Sequence, residues 1–421
     1  RQGNENFPNG IEIISIADYF SLGNRTLAYL SIAPEIASSS EWFWEPFVDH
    51  LLRVKLSHWD AEIRRLASQA LAKFTPQRPL AMLSRLGELI SDCLSKNLPR
   101  RHGATLALSE ILVAVSIQGL TIDSHLAQQV ANLVPQFEKL RLYRGRGSEL
   151  FRQASCFLVK NIARAHLQIS VKTQVTLVES LNENLRQPHE FVQKAANDAL
   201  VEFLFVYFPV KDAPSERLEL LTVRKYMKDL EKADNAAVSR GNALALGSLP
   251  SKLTLIPTNR ILEIFDLLRS TSSLSATVVG EADTETRRNA VESSIQLFER
   301  ASISSNEMLM KSLVDKCLGL LLMAIGDYSI DKRGDTGSWC RIASLKGLER
   351  VISTCQSWRS REMSSLDSID LGYVHAEKAS TIALGAEVLT SSGLGSIVTL
   401  DESKGLAEIS LPDQGTLLHP P

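Results

Sequence analysis

One pattern returns seven times along the chain and constrains what it can fold into. Each copy has a polar or loop-like start, then a basic residue, then small and apolar residues at helical spacing. The stretch "HWDAEIRRLASQALAKF" at 58–74 shows it in full. Ile63, Leu66, Ala67, Ala70, Leu71 and Phe74 fall at i, i+3, i+4, i+7, i+8 and i+11, which is one apolar stripe on a helix. Asp60 stands just ahead of that stripe, where a carboxylate caps the helix and favours its positive end. The recurring basic positions are Arg65, Arg101, Arg152, Lys194, Arg240, Arg288 and Arg341. Their separations average about 46 residues, within the roughly 40–47 of HEAT and armadillo arrays.

The period has a physical reason. A helix pair cannot bury its apolar face alone, so neighbouring pairs stack into one continuous core. Small residues after the basic position (Ala67, Gly103, Ala154, Ala196, Ala290 and Ala343) allow close helix–helix approach. Partner helices are expected around 80–94 and 172–185, with longer loops around 270–284 and 326–338. The expected fold class is all-α, a HEAT/armadillo-like α-solenoid over 1–355, with a short β-rich C-terminal tail. Residues 356–384, rich in Ser, Asp and Glu with no clean stripe, read as a linker. Residues 385–421 alternate short β-type runs with Gly, Ser and Asp turn signals. Strands are expected at Glu387–Thr390, Ser396–Leu400, Ala407–Leu411 and Thr416–Leu418, in a small sheet that resembles SH3-like modules.

Composition narrows the function classes. The 421 residues are 44% hydrophobic and 22% charged, with a net charge of −2. A near-neutral chain has no electrostatic footprint for nucleic acid. Cys93, Cys156, Cys317, Cys340 and Cys355 are odd in number and widely spaced, without a CxxC, so buried thiols are expected rather than disulfides or zinc. The longest apolar stretches, such as "CLGLLLMAIG" at 317–326, are too short to span a bilayer, so no membrane partner is expected. No cofactor loop appears.

Candidate sites are few. His58, Asp60 and Glu62 look like metal ligands, but a zinc site needs about four, and Asp60 and Glu62 point about 200° apart on a helix. They read as a loop histidine, an N-cap and a solvated carboxylate, with Trp59 wedged between repeats. Arg101 and His102 lack a nearby nucleophile or carboxylate and read as packing residues beside Gly103. The repeated arginines read as an ion-pair ladder between repeats, with Asp60, Asp234, Asp283 and Asp335 as partners. "SGLGS" at 392–396 reads as a hairpin turn rather than a phosphate loop. "SIDKRGDTGSW" at 329–339 is the strongest functional candidate, through Asp331, Lys332, Arg333, Asp335 and Trp339. Gly334 and Gly337 permit a tightly shaped loop there. No nucleophile–base pair supports an enzyme.

Several segments carry a resemblance. "FPNGIEIISIADYFSLGNR" at 7–25, "LSHWDAEIRRLASQAL" at 56–71, "LPRRHGATLALSEI" at 98–111, "SRGNALALGSLP" at 239–250 and "GDYSIDKRGDTGSWCRIASLKGL" at 326–348 occur in that order. They resemble the tubulin-folding cofactor D family, also called tubulin-specific chaperones D, over about Phe7 to Arg350. The resemblance covers the later part of such a protein. It implies a cytosolic HEAT-repeat protein, with microtubule or centrosome association. It implies binding of β-tubulin after the chaperonin and support of αβ-tubulin assembly. It further implies work with tubulin-folding cofactor E and an Arf-like small GTPase, and GTPase-activator activity toward tubulin within a cofactor complex. The 329–339 loop is then a contact surface for tubulin or a partner cofactor. The alternative is a generic HEAT-repeat scaffold or transport adaptor that binds peptide cargo.

Overall fold

The computed structural model describes residues 24–208, 216–232, 235–273, 283–303, 307–367, 387–390, 393–401, 406–411 and 415–419. The longer helices alternate between two rows. The odd row holds α1 (Glu41–His50), α3 (Leu86–Cys93), α5 (Ser124–Lys139), α7 (Val171–Leu185), α9 (Val223–Lys232), α11 (Thr258–Ser272) and α13 (Glu307–Ile325). The even row holds α2 (Ala61–Phe74), α4 (Leu98–Ile117), α6 (Ser148–Arg164), α8 (Glu190–Tyr207), α10 (Ala236–Ser248), α12 (Thr284–Ser302) and α14 (Gly337–Asp367). Each even helix from α2 to α12 packs on the next even helix and on an odd partner. This is the stacked-pair arrangement the period predicts.

Capping residues set where these helices begin. The side chains of Asp60, Asn97, Asp123, Ser170, Asn235 and Asp283 each accept a backbone N–H from the first turn that follows. Such caps stabilise a helix by about 1 kcal/mol each. The stripe read from 58–74 is the core face: Ile63, Leu66, Ala67, Ala70, Leu71 and Phe74 are all buried. Cys93, Cys156, Cys317 and Cys340 are buried. Burial pushes the Cys93 and Cys156 thiols up to about 12.

The repeated basic position needs a correction of phase. Seven alanines, Ala67, Ala104, Ala154, Ala196, Ala243, Ala290 and Ala343, are buried at one register of the even helices. The residue three before each points inward: Arg64, Arg101, Phe151, Gln193, Arg240, Arg287 and Cys340. Arg65, Arg152, Lys194, Arg288 and Arg341 therefore sit one residue too late, and only Arg101 and Arg240 occupy the inward position. One residue turns a helix by 100°, so neighbours in sequence face different surroundings.

The inward residues link the repeats, largely through neutral acceptors. Arg64 donates from Nε to His102 Nδ1 at 3.1 Å, 38 residues on. Arg101 donates to Leu142 O at 3.0 Å, 41 residues on, and its guanidinium lies 5.0 Å from the Phe151 ring. Gln193 donates to Ala237 O at 2.8 Å, 44 residues on. Arg240 meets Asp283 at 3.0 Å, 43 residues on, and Arg287 meets Asp327 at 2.9 Å, 40 residues on. Of the four aspartates expected in an ion-pair ladder, Asp283 fills that role. Asp60 instead meets Arg25 at 3.0 Å, Asp335 pairs with Arg341 of its own repeat, and Asp234 lies outside the described residues.

Two glycines hold the stack at its tightest points. A Cβ on Gly103 would stand 1.9 Å from Leu56 O, and one on Gly241 would stand 1.9 Å from Leu185 O. In both places the second turn of an even helix rests on a carbonyl that closes a helix of an earlier pair.

Contacts divide the chain into 1–354 and 355–421. Helix α14 continues to Asp367, so the first part of the expected 356–384 linker is helical. Once begun, a helix adds one hydrogen bond per residue without a core face to guide it. In the second unit, β3 (Glu387–Thr390), β4 (Gly393–Asp401), β5 (Leu406–Leu411) and β6 (Gly415–His419) form an antiparallel meander in sequence order. Thr390 pairs with Gly393, and 393–396 of "SGLGS" lies within a strand rather than a hairpin turn. Nothing in this meander specifies the SH3-like module. Among the described residues, no helix is long and apolar enough to cross a membrane.

Gly103→Ala and Gly241→Ala are each expected to destabilise the chain by about 1–3 kcal/mol through overpacking. Gly87→Ala, where a Cβ meets nothing within 4 Å, is expected to be neutral or to stabilise by up to about 1 kcal/mol. Urea midpoints of the three variants check this. A second outcome concerns pH. Burial, aided by Arg64 and Arg101, lowers the His102 pKa from 6.5 to about 3. The folded chain keeps His102 neutral while the unfolded chain protonates it, so this stability is complete above about pH 6.5 and is lost as pH falls toward 3. The expected loss at pH 5 relative to pH 8 is about 2 kcal/mol, and His102→Gln is expected to flatten that slope.

Candidate partner-binding site

The 329–339 stretch folds as a short hairpin between α13 and α14. Strands β1 (Ile330–Asp331) and β2 (Gly334–Asp335) pair antiparallel, with Lys332 and Arg333 at the tip. Gly334 has φ +100°, a conformation that costs other residues strain. Asp331 Oδ1 accepts the Arg333 backbone N–H at 2.7 Å, which closes the turn.

The base of the hairpin is tied down by buried charge. Asp327 is buried and receives Arg287 Nε at 2.9 Å, Ser329 N at 3.0 Å and Ser329 Oγ at 2.7 Å. Burial alone would raise the Asp327 pKa; the hydrogen bonds from Ser329 and Arg287 outweigh it and hold the carboxyl below its usual range. Arg341 Nη1 donates to Asp327 O at 2.5 Å, and its Nη2 to Asp335 Oδ2 at 2.5 Å. The Arg341 guanidinium also lies 4.5 Å from the Tyr328 ring.

The exposed part displays the five residues singled out in the sequence. Arg333 binds Asp331 through Nη2 at 2.6 Å, pairs with Glu285 on α12, and lies 5.0 Å from the Trp339 ring. Hydrogen bonds to Asp331 and Glu285 raise the Arg333 pKa, and those from Arg333 and Arg341 lower Asp331 and Asp335. Exposed ion pairs add little to stability, so their effect is to orient side chains rather than to hold the fold. The structure thus gathers Asp331, Arg333 and Trp339 on one side and Asp335 with Arg341 on the other. Lys332 stands at the tip without an ion pair among the described residues. Tyr328 and Ile330, which sequence reasoning passed over, are 71% and 78% exposed. Their signal was a bulky apolar residue on each side of a polar serine beside a turn.

The other candidates are engaged within the fold. His58 Nδ1 accepts the Asp60 N–H at 3.1 Å, and Glu62 pairs with Arg65 at 2.5 Å. Among the described residues, no group of three or more His, Cys, Asp or Glu is placed to hold a metal. Trp59 is not wedged between repeats: it is 82% exposed, because the Arg64 guanidinium takes the inward place and binds the His58 and Trp59 carbonyls.

No protein-family profile matches the chain. The chain is similar to a tubulin-specific chaperone D from Dictyostelium discoideum, with 26% identity over 434 residues. The match covers 81% of this chain and 28% of the length of that relative.

Asp327→Ala is expected to cost about 3–5 kcal/mol, because it removes the carboxylate that meets the buried Arg287 guanidinium at 2.9 Å. Amide exchange across 327–341 should accelerate in that variant and stay unchanged in Lys332→Ala.

Proposed function

We propose that this chain is part of a tubulin-folding cofactor that binds β-tubulin and supports αβ-tubulin assembly without covalent chemistry of its own. The similarity to tubulin-specific chaperone D over most of the chain carries the reading. The stacked helix pairs support it as a HEAT-type α-solenoid, since such arrays offer long surfaces for holding a folded subunit. On this reading the chain acts in the cytoplasm, at microtubules or centrosomes, with cofactor E and an Arf-like small GTPase as partners. GTPase activation would be exerted on tubulin's own nucleotide site by the assembled complex. The 328–341 hairpin is the contact we assign to tubulin or a partner cofactor. It combines Tyr328 and Trp339 with an oriented arginine, the residue types that dominate binding energy at interfaces, beside the exposed Ile330.

Affinity capture of purified tubulin, with and without cofactor E, tests the reading. Retention of tubulin or of cofactor E is expected. An Ile330→Asp, Lys332→Glu variant should weaken it by about tenfold or more while helix content is unchanged. Failure of both partners to associate would refute the assignment.

A further inference from the structure

A second surface lies away from the hairpin. The outward faces of α2, α4, α6 and α8 form a groove of about 600 Å³. Its floor is apolar, from Leu106 on α4, Leu150 and Phe157 on α6 and Phe191 on α8. A smaller groove of about 390 Å³ lies between the later turns of α2 and α4. The two share Gln69 and Glu110 as walls, so Glu110 faces both.

The charges around the floor are matched, with one exception. Arg65 is held by Glu62 at 2.5 Å, Lys194 by Glu190 at 2.8 Å, and Lys160 lies 4.0 Å from Asp198. Arg65 also donates to Gln69 at 2.9 Å. Among the described residues, Glu110 is partly buried and makes no hydrogen bond or ion pair. Burial raises its pKa, and the more distant Arg164 and Arg65 offset this only in part. Lys73, on the wall of the smaller groove, is exposed and unpaired with it. A half-desolvated carboxylate beside an apolar floor is complementary to a cation carried on an apolar chain.

The dimensions indicate what kind of molecule fits. Four packed helices at about 9 Å spacing give a floor of roughly 27 Å, the length of about eight residues of extended chain. We propose that this groove is a docking site for a polypeptide segment bearing a lysine or arginine among apolar side chains. The cation seats on Glu110, and a neighbouring aliphatic or aromatic side chain lies between Leu106 and Phe157. The site is separate from the hairpin and does not rest on the tubulin reading.

The test uses two fluorescein-labelled nonapeptides of Leu and Ala, one with a single central Lys and one with Glu in its place. Each is titrated by fluorescence polarisation into the unaltered chain and into Glu110→Gln and Phe157→Ser. The Lys peptide is expected to bind about tenfold tighter than the Glu peptide. Glu110→Gln, which is isosteric and leaves the core untouched, should remove that preference, and Phe157→Ser should weaken both peptides. Equal binding of the two peptides to the unaltered chain overturns the proposal. So does a Lys preference that survives Glu110→Gln, or the absence of saturable binding. A chain that captures tubulin yet fails this test refutes the groove and leaves the tubulin reading standing.

Discussion

The stacked array depends on one recurring contact. The residue three before each buried alanine points inward from the first turn of an even helix. In most repeats it reaches the segment that leads into or opens the next even helix. Arg64, Arg101, Gln193, Arg240 and Arg287 do this over 38 to 44 residues. Each hydrogen bond adds only about 1 kcal/mol net, or somewhat more when charged. Their weight lies in the alternative: a slipped stack would leave buried guanidinium and amide groups without acceptors. The contacts therefore set register, while the apolar stripes and the backbone approaches at Gly103 and Gly241 supply the cohesion.

The hairpin is the same contact elaborated. Where Arg101 and Gln193 meet a backbone carbonyl, Arg287 meets the Asp327 carboxylate, as Arg240 meets that of Asp283. Ser329 donates to the same carboxylate, and Arg341 donates to the Asp327 backbone carbonyl. A buried pair of this kind contributes little to stability by itself but is costly to break. Here it fixes the base of a surface turn, so that Tyr328, Ile330, Lys332 and Trp339 are presented on a rigid support. Preorganisation of this sort reduces the entropy lost when a partner binds.

Adjacent residues in the first turns do different work because a helix rotates 100° per residue. Arg64 and Gln193 tie repeats together, while Arg65 and Lys194 line the groove in front of them. Glu110 lies on the same face of α4 as Leu106, one turn on, so its isolation is a property of that face and not of the repeat core. Two surfaces of different chemistry thus arise from one scaffold.

Much of the architecture was readable before any coordinates. The stripe from Ile63 to Phe74, the cap at Asp60, the 46-residue recurrence and the turn around Gly334 follow from local chemistry and spacing. The phase of the basic residues was not readable. "IRRL" and "TRRN" each offer two arginines, and only packing against the next repeat decides which one turns inward. Trp59 looked like a wedge until Arg64 took its place. The isolation of Glu110 and the exposure of Tyr328 and Ile330 depend on neighbours from other helices, which no single stretch records. The sequence by itself determined the helix pairs and their repeat length, because periodicity and capping act within a few residues. Which charges pair between repeats is settled by packing, since those partners lie about forty positions apart and meet only across the packed interface.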